Sequence, residues 1–231
     1  MKYRRLRWNA STNPGGAAES SCDDMPLIFP NETPCINPIG NQVSTEGLAY
    51  WRPPFGTILQ IRPRDNYHFR SGSSPGLAFA LFNVSGTREQ IGSFIPPDFP
   101  FDWLRSEIAQ LKRLRPYYYG DYYPLLPCSA NADCDRETDK ERSAAFEWAA
   151  WQFNRPEQGD GMVQAFRRTE NEEATRDLLL RGLDPTGNYE VSDLDGRMVK
   201  TASGKDLMGQ GLHVAISAKP GATVLVYRKI R

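Results

Sequence analysis

Across 231 residues, 28 basic side chains balance 28 acidic ones, so no overall field draws the chain to nucleic acid or to an anionic membrane. Hydrophobic residues make up 39%, enough for a core with five Trp, ten Tyr and eleven Phe, while 18 Pro and 19 Gly raise the share of loops. The length suits one large or two small domains, and no stretch approaches the roughly 20 apolar residues of a membrane span.

Residues 1–45 are the least patterned part. The N-terminus is basic, with Lys2, Arg4, Arg5 and Arg7, but polar residues follow where a secretory leader would place an apolar run. No leader is expected, and a soluble, cytoplasmic setting is favoured. Sequons at Asn9, Asn31 and Asn83 decide nothing without one. Met25-Pro-Leu-Ile-Phe29 is apolar enough for a short buried strand. Gly47-Leu-Ala-Tyr-Trp51 then reads as the end of a strand, Pro53-Pro-Phe-Gly-Thr57 as a turn, and Tyr67-His-Phe-Arg-Ser71 as a second short strand. Leu77-Ala-Phe-Ala-Leu-Phe82 lacks a polar face and is expected to be buried, as strand or as helix.

An amphipathic helix is predicted over residues 103–115. Asp98 or Asp102 offers a cap, Leu104, Ile108, Leu111 and Arg115 share one face, and Pro116 stops it. Lys112, Arg113 and Arg115 suit the negative end of its dipole. Five tyrosines follow in Tyr117-Tyr-Tyr-Gly-Asp-Tyr-Tyr123, a turn that marks a seam between two kinds of structure.

Cys22, Cys35, Cys128 and Cys134 form an even set without a CxxC pair. Cys128 and Cys134 are near enough for a disulfide, but four cysteines allow three pairings and a reducing compartment forbids them all. The acidic run at 131–141 fails the calcium-loop pattern, with Arg136 where a Gly is needed and Arg142 where a Glu is needed, so it reads as a solvated charged loop. Beyond residue 145 the hydrophobic period becomes two. Short strands are predicted at 146–153, 161–167, 177–180, 188–192, 196–200, 212–217 and 222–227, separated by turn formers. Asp195-Gly196 is the clearest hairpin signal.

Motifs for the common catalytic chemistries are missing: no GxSxG, HExxH, P-loop, or GxGxxG after a strand. His68 and His213 both read as structural, and neither a metal nor another cofactor is expected. Paired carboxylates remain a chemical option, with Asp23, Asp24, Glu32, Glu46, Asp65 and Asp121 among too many candidates to separate. Trp51, Tyr67 and Phe69 have the rings to stack on a sugar, although an aromatic in a short buried strand is more often core.

Two ordered sets of residues narrow this. Gly47-Leu-Ala-Tyr-Trp-Arg-Pro-Pro-Phe-Gly-Thr57 with Asp65-Asn-Tyr-His-Phe-Arg-Ser71 resembles the late barrel strands of the melibiase-type α-galactosidases, glycoside hydrolase family 36. Arg115-Pro-Tyr-Tyr-Tyr-Gly-Asp-Tyr-Tyr-Pro-Leu125, Trp148-Ala-Ala-Trp-Gln-Phe-Asn-Arg-Pro-Glu157, Gly161-Met-Val-Gln-Ala-Phe-Arg-Arg168, Leu180-Arg-Gly-Leu-Asp-Pro185 and Ser203-Gly-Lys-Asp-Leu-Met208 are similar to that family's last barrel helix and C-terminal sandwich.

The resemblance covers about residues 42–231. It implies α/β plus all-β architecture: a poorly patterned segment 1–45, an incomplete (β/α)8-barrel portion at 46–127, a charged linker at 128–145 and an antiparallel β-sandwich at 146–231. It implies hydrolysis of terminal α-galactosides in carbohydrate catabolism, with a galactoside or other carbohydrate as the partner and a homo-oligomer left open. The family's nucleophile segment has no counterpart here, so the chain is expected to be inactive alone. Asn31 falls at the acid/base position, where an amide cannot donate a proton as a carboxylic acid does. Trp51, Arg70 and Ser71 match positions lining the sugar side at strand ends, although Arg70 reads equally well as part of an ion pair closing the barrel. The alternative is a non-catalytic sandwich that binds carbohydrate or serves in packing. There Trp148 and Trp151, three apart on a strand, face opposite sides, so one of them is expected in the core.

Overall fold

A computed structural model of the chain describes residues 38–51, 57–60, 64–80, 98–127, 147–194 and 199–230. Asn31, the four cysteines, the Met25–Phe29 segment and the acidic run lie outside these.

The described part begins with helix α1, Pro38–Trp51. A proline at the first helical position costs nothing, because its missing N–H would have had no intrahelical partner. Asn41, Gln42, Thr45 and Glu46 are all buried on one face, at the i, i+4 spacing that stacks side chains along a helix. Trp51 therefore closes a helix rather than the strand expected at 47–51. The buried stripe is polar, so hydrophobic periodicity carries no trace of it.

Strands β1, Ile58–Gln60, and β2, Ala78–Ala80, pair in parallel, with Ile58 opposite Ala78. Parallel neighbours need a crossover, and helix α2, Asn66–Ser71, lies within it. The strand expected at 67–71 is thus a helix. Its cause sits just upstream: Arg64 has φ 61°, which turns the chain, and the Asp65 carboxylate accepts a 2.8 Å hydrogen bond from the His68 amide as N-cap. His68, Phe69, Arg70 and Ser71 are all buried, because α2 is enclosed on more than one side.

Helix α3, Phe101–Leu114, confirms the predicted amphipathic helix and buries Leu104 and Leu114. Its cap differs from expectation. Pro100 occupies the N-cap without a side-chain bond, and Asp102 lies inside the first turn, 2.7 Å from Arg105. Arg115 leaves the helix for a 3-10 turn, Arg115–Tyr119, which sends the chain into β3, Asp121–Pro124. The turn sorts its tyrosines: Tyr118 is buried, while Tyr119 is 59% exposed.

The rest is mostly antiparallel sheet. β4, Trp148–Arg155, and β5, Asp160–Arg167, form a hairpin. β6, Thr175–Leu178, β7, Asn188–Asp193, β8, Val199–Ser203, the short helix α4, Gly204–Gly209, β9, Leu212–Ala215, and β10, Gly221–Ile230, follow. Six strands join in the order β3-β4-β5-β10-β7-β8, and β6 pairs with β9 in a second sheet. β7 and β8 pair from Ser192 opposite Val199, bracketing the predicted Asp195-Gly196 turn.

The six-stranded sheet has a core on each face. Trp148, Ala150, Val163, Ala165, Leu225 and Tyr227 meet Leu178, Leu212 and Val214 of the second sheet. The alternate residues Ala149, Trp151, Phe153, Met162, Phe166 and Val224 meet Leu114 and Tyr118. The helices thus cover the face opposite the second sheet, which is why β4 and β5 are buried on both sides. Trp148 and Trp151 do face opposite ways, but both are core, at 4% and 1% exposure. A third, smaller cluster of Leu59, Phe69 and Leu104 belongs to the helical unit itself.

Candidate functional site

Among the described residues, a concentration of buried polar groups lies in the seam between the helical unit and the sandwich. Arg168, just past the end of β5, is completely buried. Its Nε donates to Gln42 Oε1 of α1 at 2.7 Å, and Nη2 lies 3.6 Å from the Glu46 carboxylate one helical turn on. Nη1 faces Glu147 at 3.8 Å. The Gln42 amide nitrogen donates in turn to the Tyr67 hydroxyl, at 3.0 Å, and to Ser71 Oγ, at 2.8 Å.

A second polar connection runs through the aromatic layer. The Trp151 indole donates to Gln164 Oε1 at 2.8 Å, Gln164 Nε2 donates to the Tyr118 hydroxyl, and that hydroxyl donates to the Ser73 carbonyl at 3.0 Å. Arg70 Nη1 donates to the Ala222 carbonyl of β10 at 2.9 Å. Burial pushes the Tyr118 hydroxyl well above the ordinary tyrosine range and also raises Tyr67, where the Gln42 hydrogen bond works in the opposite direction. Both hydroxyls stay protonated at physiological pH and serve as hydrogen-bonding pivots.

Of the sequence-derived candidates, Arg70 and Ser71 come together on α2 instead of at a strand end, and both are buried at this seam. Trp51 closes α1, and Asn31 lies outside the described residues. Sequence reasoning did not single out Gln42, Arg168, Tyr118 or Gln164. The one legible signal is polarity in the wrong place: Gln164 interrupts the apolar β5, and Arg168 directly follows it.

Elsewhere, a surface cleft of about 470 Å³ opens beside Leu126, Trp148, Asn171 and Arg176. Two of its acids face cations, Glu172 with Lys219 and Glu173 with Arg176, each at 2.7 Å. Lys219 holds the Glu172 carboxyl below the usual carboxylate range. His68 is buried in α2, and exposed His213 pairs with Asp177 at 2.8 Å. Among the described residues no cluster of three or more His, Cys, Asp or Glu is arranged to hold a metal ion, and no helix is long and apolar enough to cross a membrane.

Residues 148–226 match the family described as glycosyl hydrolase family 36 C-terminal domain. The sandwich is thus similar to the C-terminal domain of this family. Two solved structures share the wider fold. One is the galactosidase domain of alpha-galactosidase-sucrose kinase, AgaSK, at 19% identity and TM-score 0.58, over 84% of this chain and 25% of that one. The other is the family 36 alpha-galactosidase AgaB from Geobacillus stearothermophilus, at 18% identity and TM-score 0.54, over 84% of this chain and 24% of that one. The chain spans about a quarter of the length of the structures it matches. A likeness over 84% of the chain exceeds what the sandwich alone provides, so it takes in part of the helical unit too. No curated protein matches the chain.

Proposed function

We propose that the chain is the C-terminal part of an α-galactosidase-like glycoside hydrolase, acting on terminal α-galactosides in carbohydrate catabolism. In this reading the helical unit completes a (β/α)8 barrel and the sandwich buttresses it. The observation that carries the reading is the continuity of the fold likeness to family 36 α-galactosidases across helical unit and sandwich. The parallel β1-α2-β2 unit supports it, since such crossovers are the repeating element of a barrel.

Retaining glycoside hydrolysis needs two carboxylates about 5–5.5 Å apart, one as nucleophile and one as acid and then base. By resemblance the nucleophile belongs to a segment without counterpart in this chain, so the chain's own work is positional. Arg70 and Ser71, expected on the sugar side, hold α2 against β10 and α1 and thereby fix the β1–α2 connection. Such connections leave the C-terminal ends of barrel strands, where active sites are built. No cofactor enters this chemistry.

A fusion tests the reading. When the chain from Pro38 onward replaces the matched quarter of AgaB, the fusion is expected to hydrolyse an aryl α-galactoside and to leave the corresponding α-glucoside intact. A soluble, folded fusion without turnover overturns it.

A further inference from the structure

We propose that Arg168 is the positioning residue that seats the helical unit on the sandwich, and that it acts through Gln42. A glutamine amide can present either end to a neighbour, and at Gln42 the choice is forced. The Arg168 guanidinium has donors only, so the group facing its Nε must be Oε1. That turns the amide nitrogen toward Tyr67 and Ser71, and its two protons match two acceptors, the Tyr67 hydroxyl and Ser71 Oγ. Ser71 then spends its own proton on the Tyr67 carbonyl at 2.8 Å.

The hydrogen bonds therefore run one way, from the end of β5 through α1 to α2. A residue 126 positions away sets which way Gln42 points and what α2 receives.

Charge reinforces direction. Glu46 is 5% exposed and lies on the same face of α1, so its carboxylate is held in the seam opposite a fully buried guanidinium. Taking away one member of a buried pair leaves the other uncompensated, whereas taking away both is tolerated far better. Lysine is a poor substitute for Arg168: an ammonium is a point charge, without the rigid fork that addresses Gln42 and Glu46 from one plane.

Hydrogen exchange on the 231-residue chain separates a positioning residue from an ordinary core residue. R168M should speed exchange about ten-fold or more at the amides of α1 and α2. The amides of β5, β7 and β10 should keep their protection. Adding E46Q to R168M should return part of the lost protection, although E46Q alone weakens the seam. R168K should fall between R168M and the parent. If R168M does not fold, Q42L carries the test, since it removes the relay and keeps both charges; the same confined loss in α2 is expected.

Uniform loss across helices and sandwich, unchanged exchange in α2, or no recovery on adding E46Q overturns the proposal. The hydrolase reading stands apart from this outcome. A fusion without turnover leaves the exchange pattern as expected, and a uniform exchange pattern leaves the fusion's turnover untouched.

Discussion

Gly161→Ala is expected to unfold the sandwich or to cost it more than about 4 kcal/mol, beyond the range of ordinary single substitutions. Gly161 sits in β5 opposite Tyr227 of β10 and Asn154 of β4. A methyl group there would drive into the Tyr227 hydroxyl and ring and meet the Phe153 carbonyl. Neither neighbour can retreat. Phe153 contributes backbone to a central strand, and the Tyr227 hydroxyl is held by Gln152 at 2.7 Å and Asn154 at 2.8 Å. Those partners in turn donate to the Arg181 and Gly182 carbonyls, at 2.9 and 3.0 Å, so the strain would spread to the 179–183 connection. Overpacking of a rigid core typically costs about 1–3 kcal/mol, and clashes with backbone and with a tied tyrosine push beyond it. Urea unfolding followed by tryptophan fluorescence measures this; a midpoint within error of the parent would show that the sheet yields at this point.

Trp151→Ala should lower stability by about 3–5 kcal/mol, the range for deleting a large buried aromatic. The indole is 1% exposed and packs on Phe166 with ring centroids 5.0 Å apart. Its loss has a polar consequence as well. Gln164 Oε1 loses the indole proton, which frees the amide to turn and withdraws Nε2 from Tyr118, the hydroxyl that reaches Ser73. Leaving a buried polar group without its partner costs about 1–3 kcal/mol. Trp151→Phe should recover much of the packing and none of the polar link. Chemical unfolding of the pair therefore separates the two contributions, and a loss under about 1 kcal/mol for Trp151→Ala would remove the indole from the core.

The sequence displayed the sandwich more clearly than the helical unit, and the reason is where apolar residues face. In β4 and β5 the alternation Ala149, Trp151, Phe153 against Trp148, Ala150 serves two cores, so period-two strands were legible although no face meets water. α3 was legible because Leu104, Ile108 and Leu111 follow a helical stripe. α1 was not, because its buried face consists of Asn41, Gln42, Thr45 and Glu46, of which Gln42 and Glu46 meet Arg168 instead of a hydrophobic core. α2 was misread because Tyr67 and Phe69 alternate like a strand, while the Asp65 cap that decides for a helix is a single residue. The seam stayed hidden for a related reason: partners 126 positions apart, as Arg168 and Gln42 are, leave no local pattern. Only the order of short motifs, compared with a family, pointed to the architecture that the fold likeness supports.

The proposed division of labour, in which this chain would shape and support a glycosidase without carrying its double displacement, is tested most directly by assaying the purified 231-residue chain on an aryl α-galactoside. Protected indole signals from Trp148 and Trp151 would establish in the same sample that the sandwich is folded. The account predicts release of the aryl group at the rate of buffer alone. Saturable turnover that follows the folded chain through purification would contradict it.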